Sequence, residues 1–406
     1  MSYAIVLHEV ILALASALDY VGIDDVSHGK RVARMAAECA RVAGWSQAEQ
    51  DQLILLGLLH DCGVSSTQVH RHLVEEWEWA ESEHHARHGS ELLQQTGLLA
   101  HLAPPIRYHH THWAQLHTLG LAESVMRQAN LIFLVDRVDA LRTQSGDGYE
   151  PERWRRVIAD HAGTQFAPEL CQLFLQASDN DGFWFSLEAE ALDGFFVDWL
   201  RHAESQPIAY PALLELALMF ASIVDGKSRF TYRHSLGVKG VAQLLAQVAR
   251  LSQAEQECVV LAALLHDLGK LRVADAILDK QGPFDEHERR VMNHHSFDTE
   301  QILNRIGGFG EIAHIAAMHH ETLDGLGYPR RVKGEEIPIA ARIIAVADVF
   351  QALVQNRPYR PPLALAAARE VLTQMVARGK LDPELVGLLL LHADEAYRLA
   401  RQHEPA

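Results

Sequence analysis

The stretch Val259–Lys270, VVLAALLHDLGK, runs seven apolar residues into His266, Asp267, a glycine and a lysine. The apolar run reads as a buried helix segment that ends at the glycine. A second copy stands at Leu53–Gly63, LILLGLLHDCG, with His60 and Asp61. One such pair would be a weak signal, but the spacing around it repeats. His28 precedes His60 by 60 − 28 = 32 residues, and His234 precedes His266 by 266 − 234 = 32. Downstream, His85 precedes the pair His109–His110 by 109 − 85 = 24, and His295 precedes His319–His320 by 319 − 295 = 24. An aspartate then follows inside an apolar helix in each half, Asp136 in LIFLVDRVDAL and Asp348 in RIIAVADVFQAL. FAPEL and LDPEL close the two series. Matched separations over this length mark a tandem duplication.

Helical periodicity dominates elsewhere, as in HGKRVARMAAECARVAG and PALLELALMFASIVDG. The expected fold is all-α, two tandem helical domains, 1–205 and 206–406, with the junction near the polar stretch RHAESQPIAY. A short hairpin in FWFSLEAEA is the one β element expected. The N-terminal segment MSYAIVLHEVILALASALDYVG carries Glu9 and Asp19 and no basic leader, so it reads as a domain helix.

The 406 residues suffice for two cores. Apolar content of 48% with 22% charged residues is that of an ordinary soluble protein, and no apolar run is long enough for a membrane span. Acidic residues outnumber basic ones, 53 to 36, and the net charge of −17 gives no footprint for long nucleic acid. Cysteines at 39, 62, 171 and 258 share no redox or zinc spacing, which fits a reducing cytoplasm. Histidine is the outlier, with 25 residues that cluster.

Neighbouring helical residues point about a hundred degrees apart, so His266 and Asp267 can converge only on a large central site. A metal pair with ligands from several helices suits that demand. Neutral imidazoles and carboxylates suit Fe, Mn, Co, Ni or Zn, and composition does not choose among them. A buried aspartate such as Asp348 is costly unless it is paired or metal-bound. SEHHARHGS suggests a separate zinc cluster, but the repeat assigns His85 to the central site and leaves His84 and His88 outside it. For Trp77, Trp79 and Trp113 two readings stand, the lining of a cavity and, as the default, core packing or surface contact.

HDLGK, with YRHS upstream and paired histidines downstream, resembles the HD phosphohydrolase superfamily. HHETLDGLGYP, followed by IPIAARIIAVADVF and RPYR, resembles its HD-GYP class, and the likeness spans most of residues 211–406. That resemblance implies a bacterial signalling enzyme that opens cyclic dinucleotides, cyclic di-GMP chiefly and 3',3'-cyclic GMP-AMP in some members, to a linear dinucleotide. Carried over by position, it implies His234, His266, Asp267, His295, His319, His320 and Asp348 as metal ligands, with Asp267 bridging. Lys270 is implied beside a phosphate, as a catalytic and substrate-binding residue, and Tyr328, Arg357 and Arg360 as substrate-binding residues. Trinuclear members carry a glutamate where Phe230 stands, so two divalent metals are expected, iron first and manganese next. Gln351 replaces an aspartate often found three residues after the last ligand. Two alternatives stay open: a cyclic dinucleotide-binding signalling protein with little turnover, and another HD phosphohydrolase. A homodimer is compatible with the sequence, which does not establish it.

The first half is a divergent HD domain on the same comparison. It keeps His28, His60, Asp61, His85, His109, His110 and Asp136, with Asp24 at the trinuclear position, as a second candidate metal site. It lacks the substrate apparatus, because Val64 takes the lysine position and THWAQL follows the histidine pair. Three readings are left open: a phosphohydrolase in its own right, a regulatory or structural duplicate that still holds metal, and a relic.

Overall fold

A computed structural model of the chain describes residues 2–19, 27–64, 66–79, 81–146, 148–203, 206–227, 234–356 and 361–402. Helices account for nearly all its regular structure. It divides into two compact units, Val6–Ser205 and a second made of Met1–Ile5 with Gln206–Ala406. The N-terminal residues therefore belong with the second unit. There, Ser2–Ile5 pairs antiparallel with Gln206–Ala209, in the register Ser2 to Ala209. The N-terminal segment is thus a strand before it becomes the helix Leu7–Leu18. The hairpin expected in FWFSLEAEA does not form. Asp181–Phe185 and Ala189–His202 are helices, and Asn180 caps the first by accepting from the Phe183 amide. Phe183 and Trp184 are buried against Phe174 and Trp154 instead of alternating across a sheet.

Both units build their histidine–aspartate helix the same way. Gln47–Leu59 and Gln253–Leu265 each begin in a capping box, Ser46 with Glu49 and Ser252 with Glu255, from the repeated sequence SQAEQ. Leu53–Leu59 and Val259–Leu265 are buried on every face, as expected of a helix that crosses a core. His60 and His266 are the C-caps, so the helix end delivers each histidine to the unit's centre.

The glycine two residues past each aspartate is demanded by packing. A Cβ on Gly63 would lie 2.1 Å from the His85 carbonyl oxygen, and one on Gly269 would lie 2.0 Å from that of His295. The histidine–aspartate turn thereby presses against the helix bearing the next ligand, Ser82–Gln94 or Glu286–Leu303. Gly269→Ala is expected to destabilise the second unit by about 3 kcal/mol or more, since the obstacle is backbone. Thermal unfolding together with the protein's metal content measures this, and an unshifted melt with full metal would contradict it.

Candidate functional site

In the second unit, His234 opens the helix His234–Val248 and His295 lies within Glu286–Leu303. His319 and His320 follow Gly310–Ala317, and Asp348 lies within Ile339–Val354. These elements bring all seven predicted ligands together. Asp267 stands at the middle with its two oxygens facing opposite ways. Its Oδ2 lies 3.2 Å from His266 Nε2 and 3.7 Å from His234 Nε2. Its Oδ1 lies 3.5 Å from His295 Nε2 and 3.8 Å from His319 Nε2. His234 Nε2 also approaches Asp348 Oδ1 at 3.2 Å. Two ligand groups result, His234–His266–Asp348 and His295–His319–His320, each with ligand atoms within 4.8 Å of one another. The carboxylate of Asp267 lies between them.

The protons are arranged for metal binding. Nδ1 of His266, His295 and His319 donates to the carbonyls of Ala263, Met292 and Ala316, at 2.8, 2.6 and 2.7 Å. His234 Nδ1 donates to Gln351 Oε1 at 2.6 Å. Each ring therefore turns an unprotonated Nε2 inward. His295 and His319 bring those nitrogens within 3.3 Å of each other, so two lone pairs meet, and the Ser296 hydroxyl, 3.3 Å from His295 Nε2, can donate to only one of them. His266 Nε2 and Asp267 Oδ1 are buried and have no hydrogen-bond partner among the described residues. A divalent cation satisfies such a donor set.

The electrostatics agree for His295 and His320, while His266 goes the other way: burial lowers it, but Asp267 outweighs burial and raises it, so a cation bound there competes with a proton. Burial holds His295 down at about 3 and His320 at about 4, with Lys270 adding to the effect on both, so these imidazoles are neutral at pH 7. Burial opposes ionisation of Asp267, but His266 and Lys270 outweigh it and hold the carboxyl well below its usual range. Lys270 Nζ is 2.5 Å from Asp267 Oδ2.

The GYP turn folds back on the histidine pair. Tyr328 N donates to His320 O at 3.2 Å, and the Tyr328 ring packs 4.7 Å from that of His320. A Cβ on Gly327 would lie 2.5 Å from His320 O, which explains the glycine. Glu321, buried behind the turn, accepts from the amides of Arg330 and Arg331 at 2.6 and 3.0 Å. Arg357, Arg360, Phe230 and Asp24 lie outside the described residues.

The first unit repeats the arrangement. Asp61 Oδ2 faces His60 at 3.4 Å and His28 at 3.8 Å, and Oδ1 faces His85 at 3.3 Å. Its ligand groups are His28–His60–Asp136 and Asp61–His85–His109–His110. His60 and His109 donate Nδ1 protons to the carbonyls of Gly57 and Ile106, at 2.8 and 2.7 Å. Nε2 atoms again meet, 3.2 Å apart for His28 and His60, and 3.3 Å for His85 and His109. Val64 is buried at the lysine position, while His84 and His88 are exposed.

Gln351, singled out in the sequence, orients His234; the residues that do the same work around His28, and the buried aspartates ahead of each first histidine, were not anticipated. In the first unit His28 Nδ1 donates to Asp139 Oδ2 at 2.8 Å, and Arg31 pairs with the same carboxylate. Asp139 follows Asp136 by three residues, as Gln351 follows Asp348, so the spacing was legible. Asp19 and Asp225, each nine residues before a first histidine, accept from Gly29 N at 3.1 Å and Ser235 N at 3.0 Å. Burial pushes these two carboxyls up, to about 7 and about 6.

The HD domain family matches residues 26–143, and a further HD domain family matches residues 218–385. The chain is similar to 3'3'-cGAMP-specific phosphodiesterase 1 of Vibrio cholerae, with 35% identity covering 98% of this chain and 94% of that protein. It is also similar to the cyclic di-GMP phosphodiesterase response regulator RpfG of Xanthomonas campestris pv. campestris. There the identity is 42%, over 41% of this chain and 43% of that protein. Among solved structures, a cyclic GMP-AMP-specific phosphodiesterase of V. cholerae aligns with a TM-score of 0.63 and 24% identity, covering 100% of this chain and 99% of that one. That likeness speaks for the fold alone.

Proposed function

The chain belongs to the HD phosphohydrolases as a cyclic dinucleotide phosphodiesterase of the HD-GYP class with a second HD domain ahead of it, and we propose that residues 206–406 carry the hydrolysis. The observation behind this assignment is the bridging posture of Asp267, whose two oxygens address two separate histidine groups. The substrate read for the site is 3',3'-cyclic GMP-AMP first and cyclic di-GMP second. The full-length similarity to a cGAMP-specific relative, against a partial one to a cyclic di-GMP enzyme, supports that order.

A metal pair bound here supplies a nucleophile at neutral pH and offsets charge on the phosphate. His234, His266 and Asp348 would hold one ion and His295, His319 and His320 the other, with Asp267 shared. Iron is the first choice and manganese the second. Lys270 is placed to exchange its bond to Asp267 for one to a non-bridging phosphate oxygen as charge develops there. Tyr328 flanks the site as a protonated hydroxyl, since burial pushes its phenol up. Its O–H is thus available to donate to a phosphate. Arg357 and Arg360 are proposed as further phosphate partners.

The product is the linear dinucleotide. Reconstitution with Fe(II) or Mn(II) without oxygen, followed by product analysis on both substrates, tests this. Linear dinucleotide from the cyclic GMP-AMP substrate at the higher kcat/KM is expected. Tight binding without product under either metal would point to a sensor, and mononucleotide as the main product would refute the single cut.

The first unit is proposed to hold its own metal pair and to regulate. Its ligand geometry supports metal, and the absence of a lysine at Val64 and of a GYP turn after His110 argues against the second unit's chemistry. Among the described residues no helix is long and apolar enough to cross a membrane, and all four cysteines are free and buried. A cytoplasmic location fits the reduced cysteines.

A further inference from the structure

Tyr328 packs over His320 in the second unit; among the described residues of the first unit no tyrosine does so, and Phe133 meets the His110 ring edge-on at 5.4 Å. Beside His110 the first unit has instead a cleft of about 350 Å³. Trp77, Trp79 (one face stacked on His72) and Phe133 supply aromatic wall, and His110 lies at the metal end; Glu78, whose Oε1 accepts from Gln165 Nε2 and faces His112 Nε2 at 3.5 Å, and Glu83 are exposed on the lining. Arg137, itself on the lining, holds the aromatic wall in place. Buried Arg137 donates to the carbonyls of Leu73 and Glu76, at 2.7 and 2.9 Å, and to Asp136 Oδ2 at 3.0 Å. One guanidinium thus ties a metal-ligand carboxylate to the backbone that presents Trp77. On the opposite side Phe133 stacks on His112, at 6.1 Å and 18°.

Three demands define the occupant. Its inner end must be an anion able to share the metal pair. Its body must be a flat aromatic ring for Trp77, Trp79 and Phe133. Its outer edge must donate hydrogen bonds, because an ionised carboxylate only accepts. The volume lies at the low end of the roughly 300–1,000 Å³ typical of small-molecule clefts, which suits one nucleotide better than two. A guanine edge offers two adjacent N–H donors and an adenine edge offers one amino group.

We propose that this cleft binds a guanosine monophosphate group, with the phosphate on the first unit's metals and the base between the aromatic walls. Its N–H edge meets Glu78 or Glu83. The assignment rests on the reading that the first unit holds metal. It gives that unit a ligand through which guanine nucleotide supply could act on it.

The test uses the full-length, metal-loaded Asp267→Ala chain, whose second site is silenced. Elemental analysis first counts the metal left to the first unit. Calorimetry and tryptophan fluorescence then follow GMP, AMP, guanosine and ribose 5-phosphate. GMP is expected to bind once per chain, quench the fluorescence, and exceed each of the others by about tenfold. Trp79→Ala should weaken GMP by about tenfold, the scale of one lost base stack, with metal content unchanged. Glu78→Gln together with Glu83→Gln should erase the preference for GMP over AMP. Metal present but GMP binding unaltered in these variants overturns the cleft assignment while sparing the metal reading. Absence of metal from the first unit overturns both.

Discussion

Asp267→Ala is expected to abolish turnover and to strip the second unit of metal. Each of the two ligand groups has its own three residues, but only Asp267 reaches both, Oδ2 toward His234 and His266 and Oδ1 toward His295 and His319. Removing it takes one ligand from each ion. It also leaves the His295–His319–His320 group with no carboxylate to balance a cation, while Asp348 remains with the other group. Loss of a residue that merely orients a ligand costs roughly 10–100-fold, so loss of the shared carboxylate should exceed that range. The informative control is Asp61→Ala, which makes the same cut in the first unit. It should lower total metal while sparing most of the hydrolysis. Steady-state rates and elemental analysis on both variants decide the matter. Asp267→Ala with full metal and a tenth of the parent rate would refute the bridging role. Asp61→Ala with collapsed activity and an intact second centre would refute the division of labour.

The candidate ligands and their convergence were legible in the sequence because a repeat constrains spacing, and matched spacing survives without knowledge of any contact. His28, His60, Asp61, His85, His109, His110 and Asp136 were found that way, as were their seven counterparts. What was not legible depends on tertiary packing. FWFSLEAEA looks like a strand because its aromatics favour a half-buried pleated surface. Here Asn180 caps a helical turn and Phe183 and Trp184 enter a core of other aromatics, so context overrides the local preference. The pairing of residues 2–5 with 206–209 was hidden because the partners lie two hundred residues apart and each strand has only four residues. For Trp77 and Trp79 the sequence left cavity lining beside the default of packing or surface contact and could not choose between them. Their place on a cleft follows from Arg137, whose bonds to the backbone of Leu73 and Glu76 no spacing rule anticipates.

Asp139→Asn should destabilise the first unit by about 3–5 kcal/mol, the usual consequence of leaving a buried charge without its partner. Arg31 reaches Asp139 through Nε to Oδ1 at 2.6 Å and Nη2 to Oδ2 at 2.8 Å, and both side chains are buried. Asparagine could still accept from His28 Nδ1, so the loss falls on Arg31. The second unit offers the internal comparison. There Gln351 accepts from His234 with no charge, and the position corresponding to Arg31 is Gly237. A Cβ on Gly237 would lie 2.7 Å from the Ala400 carbonyl oxygen and 2.8 Å from Gln351 Cγ, so no arginine fits. Each unit thus holds its first histidine by a matched pair of residues, charged in one and neutral in the other. Arg31→Gly combined with Asp139→Asn should therefore cost less than Asp139→Asn alone, which strands Arg31, a coupling that a double-mutant cycle with Arg31→Gly as its remaining corner reads directly. Acid titration gives an independent check. Burial opposes the Asp139 carboxylate, but Arg31 and His28 outweigh it and hold the carboxyl far below its usual range. A depressed carboxyl contributes stability that is present above its unfolded value of about 3.9 and is lost as pH falls toward the folded one. The parent's stability should fall through that acid window more steeply than that of Asp139→Asn. Urea unfolding of metal-free protein across pH measures both effects. A penalty under 1 kcal/mol, or a double variant less stable than Asp139→Asn, would show that the buried pair does not hold the first histidine in place.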